Sequence, residues 1–267
     1  MLMHSFVVIP FFIAVSCVLL YAAIRLLTHE KRTADDLLQD VKVGGITKRW
    51  QSAYELSKLL SNPSLYPEGD AFTREMASAF QKSKEDDPRV RQYLALAMGR
   101  TGKTVFFEPL TEALPEEKEE NLPALIYAVG MLKDPRGAAV LSPFLNHPNT
   151  RVRSIACAAI GAIANPSSID RLKKALYDSE PNVQWGAALG LAKMGNPAGK
   201  SIILKMLDRE YLSGFPKVDP DEQNQLLLAA IEAAGSLREP ELHARLEQLS
   251  QTDRNLKIRA FAGEKLK

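Results

Sequence analysis

Apolar positions fall into two patterns along this chain. The first is an unbroken run from Phe6 to Ile24 that contains no charged side chain. The second is periodic, with small and aliphatic residues returning to the same offset in successive stretches of 31 residues. With Val90 as offset zero, the equivalent positions are Asn121, Val152 and Val183. Leu226 follows after a longer step of 43, and Lys257 after 31 more. Offset seven holds Ala97, Ala128, Ala159, Gly190 and Ala233, and offset nine holds Gly99, Gly130, Gly161, Ala192 and Gly235. Pro135, Pro166, Pro197 and Pro240 stand at offset fourteen, where the first unit has Thr104. Offset twenty is aliphatic throughout (Leu110, Leu141, Leu172, Ile203, Leu246). Offset twenty-four is Leu in four units and Ser250 in the fifth.

These columns predict a pair of helices per unit. The stretch after each offset zero carries apolar and small residues at helical spacing. Its Ala and Gly columns leave almost nothing between one backbone and the next. A turn follows, often Asn-Pro or Asp-Pro, in which proline opens the next helix without losing a hydrogen bond. The second helix then carries its two aliphatic columns one turn apart on one face. No 31-residue pair buries that much apolar surface alone, so stacked units must bury it against each other. The predicted fold is an all-α solenoid.

The motifs Asp87-Pro-Arg-Val-Arg, Asn149-Thr-Arg-Val-Arg-Ser and Pro181-Asn-Val-Gln-Trp resemble the opening of HEAT repeats. The subtype they are similar to is the short, bacterial, phycobilisome-lyase-like one. The resemblance covers about residues 88–267, with an earlier degenerate pair at Lys48–Leu56 and Phe72–Ser83. It implies architecture and says little of activity, because such repeats serve scaffolds, lyases and hydroxylases alike.

The N-terminal run predicts a transmembrane helix over 5–25, since 19 residues at about 1.5 Å each match the ~30 Å hydrocarbon core. A cleaved signal fits less well because Met1–Ser5 lacks Lys and Arg. A lipoprotein site at Cys17 is disfavoured by the apolar residues that continue past it. Arg25, Lys31 and Arg32 follow the span, so the positive-inside rule places the bulk of the chain in the cytoplasm, held at the inner membrane. Residues 26–47 are then a juxtamembrane linker with a short amphipathic segment, Thr33 to Lys42, and 48–267 form the solenoid.

Composition narrows the chemistry. Thirty-four Lys and Arg against 32 Asp and Glu give +2, which supplies no global field for nucleic acid. Two cysteines, Cys17 and Cys157, cannot build a disulfide scaffold or a four-cysteine zinc site. Ala97-Met-Gly-Arg-Thr-Gly-Lys-Thr104 fits a relaxed P-loop, but the repeat register explains its glycines and no strand run precedes it. The only His-Glu dyad is His29-Glu30, and His147 and His243 are scattered, so no di-iron centre of the HEAT hydroxylase kind is expected. Arg91 and Arg153 recur one residue into their units and are expected to bridge neighbouring repeats through acidic side chains.

The expected function is therefore a membrane-tethered, protein-binding scaffold or assembly factor. It is read as non-enzymatic, with no cofactor, nucleotide or nucleic acid and a membrane-associated protein partner. The alternative is a lyase- or chaperone-type solenoid that seats a cofactor on a partner protein. Candidate partner-binding residues are Arg171, Lys174 and Lys205 on second helices, taken as the concave face. Tyr211 and Phe215 join them from the 12-residue excess at 208–222, because insertions in solenoids often lie on a binding face.

Overall fold

The computed structural model describes residues 10–21, 32–216 and 218–267, and every regular element among them is helical. After α1 (10–21) come α2 (Ala34–Val43), α3 (Ile46–Leu59) and α4 (Asp70–Lys82). Then helix pairs follow: α5 (Pro88–Arg100) with α6 (Phe107–Ala113), α7 (Leu122–Leu132) with α8 (Gly137–Leu141), and α9 (Thr150–Ile163) with α10 (Ile169–Ala175). Next are α11 (Pro181–Lys193) with α12 (Lys200–Met206), the short α13 (Arg209–Ser213), α14 (Pro220–Leu237) with α15 (Pro240–Thr252), and α16 (Leu256–Lys265). Polar caps start the long helices: the side chains of Asp87, Asn149 and Asn255 each accept a hydrogen bond from the backbone N–H two residues on.

The first helices stack directly on one another, and the glycine column is what lets them. A Cβ added at Gly99 would lie 2.7 Å from the Ala128 Cα, and one at Gly130 would lie 2.7 Å from the Ala159 Cα. At Gly161 the clash would be tighter, 2.4 Å from the Gly190 Cα. The second helices are short and touch each other sparsely. The first helices thus form one continuous layer, and the second helices carrying Arg171, Lys174 and Lys205 form the other.

A further column emerges at offset twelve. Gly102, Lys133, Ala164, Gly195 and Arg238 all have left-handed backbones, with φ of 64°, 55°, 55°, 69° and 52°. Each reverses the chain after a first helix, which is the geometry of a left-handed C-cap. Gly102 of the P-loop-like stretch is thereby the left-handed turn at the end of α5.

The ends differ from expectation in two respects. The segment expected as a linker contains α2, whose Leu37, Leu38 and Val41 are buried against α3 and α4. Its start is fixed by a capping box between Thr33 and Asp36. At the C-terminus, fully buried Ile258 occupies the place of Val90 and Val152, so the last unit begins one residue later than the 31-residue step places it.

The membrane placement is corrected. Among the described residues no helix is long and apolar enough to cross a membrane. Residues 5–9 and 22–25 of the expected span lie outside the described residues, as do His29 and Glu30. The inner-membrane localisation and the cytoplasmic orientation drawn from that span are withdrawn.

Candidate binding groove

The inserted segment folds onto the first-helix layer and walls off a groove there. Asp208 caps α13 through the Glu210 N–H, and Asp219 caps α14 through the Glu222 N–H. Between these two caps, Tyr211 and Phe215 close over Trp185 of α11. The Trp185 and Phe215 rings are 5.0 Å apart at 89°, and Tyr211 and Phe215 are 5.1 Å apart at 77°. Edge-to-face contacts of this kind are favourable beyond the area they bury. The Trp185 indole N–H donates to the Tyr211 hydroxyl at 3.3 Å. The segment is also tied to the end of the stack, because Arg209 donates to both Asp253 carboxylate oxygens, at 2.6 and 2.8 Å.

The resulting groove has a volume of about 1100 Å³ and runs between α9, α11 and α14. Its bed is apolar, formed by Ile155, Ala158, Trp185, Leu189, Phe215, Val218 and Leu226. Polar groups sit at the edges: Asn149, Arg151 and Ser154 on α9 and its cap, Glu180 and Asn182 at the start of α11, and Glu222 on α14. Such a site can take a large, flat or elongated apolar body and orient it by a few polar contacts.

The expected site residues divide between two places. Tyr211 and Phe215 are half-buried in the aromatic cluster and do not project as exposed anchors. Arg171 and Lys174 are exposed and share a separate cleft of about 530 Å³ with Ser142, Asn146 and Asp178. Lys205 is exposed on α12 and joins neither. Sequence reasoning missed Trp185, although a signal existed: the same offset holds Gln92, Pro123 and Ser154 in the preceding units.

No group of three or more His, Cys, Asp or Glu among the described residues is placed to hold a metal ion. Cys157 is buried in α9, and burial pushes its thiol up to about 12, with the Asp178 charge adding to the shift. It is an unreactive core residue.

The fold is a stack of helix pairs with an apolar groove on its first-helix layer, and comparisons with known proteins find the same kind of helical repeat. Residues 138–212 match the family of HEAT repeats. Over 162 residues, 60% of the chain, the sequence is 26% identical to the bilin biosynthesis protein PecE of Mastigocladus laminosus. That match spans 56% of the relative, little more than half its length. Among solved structures, the complex of CpcE and CpcF of phycocyanin lyase from Nostoc sp. PCC7120 superposes with a TM-score of 0.65 at 17% identity. It covers 90% of this chain and 88% of that one. The expectation of a non-enzymatic chain is overturned by this likeness to a bilin biosynthesis protein.

Proposed function

We propose that this chain is a lyase-type HEAT solenoid that works with a protein partner to seat a linear tetrapyrrole on an acceptor protein. The observation that carries this reading is the sequence likeness to a bilin biosynthesis protein. The groove supports it through its chemistry. An open-chain tetrapyrrole is a long conjugated apolar body with carboxylate side chains. The bed from Ile155 to Leu226 suits the body, the Trp185 and Phe215 rings offer edge and face contacts to a π system, and the Arg151 guanidinium at the rim suits a carboxylate. The role of the chain is placement. Cys157 is too buried and too weakly acidic to attack, so bond formation falls to a nucleophile of the acceptor. The solenoid contributes orientation and exclusion of water, the effects by which a held geometry replaces a bimolecular encounter. A scaffold without chemistry is not retained.

The test is equilibrium binding. Biliverdin titrated into the full chain, with Trp50→Phe so that Trp185 is the reporter, should quench tryptophan fluorescence with a micromolar midpoint. Absence of quenching at biliverdin concentrations up to 100-fold above that midpoint would overturn the reading.

A further inference from the structure

The first-helix layer carries a second apolar strip toward the N-terminal end, and its charge pattern is one-sided. Tyr54 of α3 and Tyr93 of α5 stack edge-on at 5.1 Å, and Tyr54 remains 41% exposed. Tyr127 of α7 is 49% exposed, and its neighbours Met131, Ala158 and Ala162 complete a shallow furrow of about 290 Å³. Arg100 and Lys133 line the same furrow, and no acidic residue does. Lys58 extends the cationic edge from α3, with its ammonium 5.1 Å from the Tyr54 ring centre. Arg100 is held in place by its Nη1, which donates to the Ser57 carbonyl at 2.8 Å. Cations at helix C-termini also complement the helix dipole. That accounts for their presence at these ends but not for the exposed tyrosines beside them.

We propose that this strip docks an extended, acidic segment of a partner protein studded with aromatic or aliphatic residues. The inference rests on the partner half of the functional reading and not on the cofactor half. Charge complementarity fixes the sign of the occupant: three cations border an apolar floor whose furrow contains no carboxylate. Spacing favours an extended chain. Stacked helices lie about 8–10 Å apart, and three residues of a strand rise about 10 Å, so every third residue meets a new layer. A furrow of 290 Å³ admits side chains but not the body of a helix, ~10–12 Å across. The strip from α3 to α9 crosses three such steps and so accommodates about nine residues. It meets the larger groove at Ala158, which lines both. A segment bound here leads its protein toward Trp185 and Phe215.

Selection from a displayed library of random twelve-residue peptides, with the full chain as bait and no tetrapyrrole present, tests this directly. Recovered peptides should combine Asp or Glu with Phe, Tyr or Leu, and their binding should weaken with added salt. Lys133→Glu and Tyr127→Ala, both at exposed positions, should each weaken a recovered peptide at least tenfold, while Lys205→Glu in the second-helix layer leaves it unchanged. Failure to enrich any peptide, enrichment of basic ones, or undiminished binding to both variants would overturn the proposal. Because tetrapyrrole is absent, that failure is separable from failure of the biliverdin titration.

Discussion

The Arg91 guanidinium meets the Glu117 carboxylate at 2.7 Å in a site where both side chains are almost fully buried, 4% and 1% exposed. Arg91 also donates to the Phe80 carbonyl at 2.8 Å and lies over the Phe80 ring. Glu117 in turn accepts from the Asn121 amide at 2.9 Å. The pair joins the start of α5 to the loop that leads into α7, so one ion pair fixes the spacing of two layers. Arg153 and Asp178 repeat the arrangement between α9 and α11 at 2.8 Å.

Removing one partner of so buried a pair leaves a charge without compensation. Arg91→Met or Glu117→Leu should each cost about 3–5 kcal/mol in urea unfolding. The double variant should recover much of that loss, because replacing both charges by apolar groups is often neutral or better. If the double variant is as unstable as the sum of the singles, the pair is not the unit described.

Asp178 supplies the pH dependence. The Arg153 hydrogen bond holds its carboxyl below the ordinary value, so the folded state favours the carboxylate more than the unfolded chain does. Stability from this pair is therefore complete above the unfolded value, ~3.9, and is lost as pH falls through the depressed folded value. Thermal unfolding followed from pH 7 down to 2 should show a decline below about pH 4. The decline should be shallower in Arg153→Met.

The glycine column makes a steric prediction. Gly161→Ala forces a methyl group against the Gly190 backbone, and Gly130→Leu forces a larger group against Ala159. Overpacking of this kind costs about 1–3 kcal/mol, and the longer side chain should cost more. Wild-type melting temperatures in both variants would show that the first helices do not pack through this column.

The left-handed column predicts gains. Ala164 and Lys133 hold φ of 55° where two other units use glycine. A left-handed backbone costs a non-glycine residue about 1–2 kcal/mol, against which glycine's greater unfolded-state freedom subtracts part. Ala164→Gly should therefore stabilise the chain by about 0.5–1 kcal/mol, read as an increase in the urea midpoint.

The repeat was readable because packing restricts residue type: only small side chains fit where Gly130 meets Ala159, so the column survives in the sequence. The left-handed column escaped notice because a turn tolerates Lys133, Ala164 and Arg238 at modest cost. The role of α2 was hidden because an amphipathic stretch beside an apolar run reads equally as a connector. Trp185 stands within a repeat motif, yet its partners lie 26 and 30 residues away in an insertion whose fold no periodicity describes.

The most direct test of the central claim is the visible circular dichroism of biliverdin added to the full chain. A tetrapyrrole held in the groove beside Trp185 and Phe215 takes one handed conformation, so a strong induced band is predicted for the wild type. It should be lost in Trp185→Ala/Phe215→Ala and kept in Arg171→Glu/Lys174→Glu, which lie outside the groove. A band that survives loss of both aromatic rings, or no band in the wild type, would contradict the assignment of this groove to the cofactor.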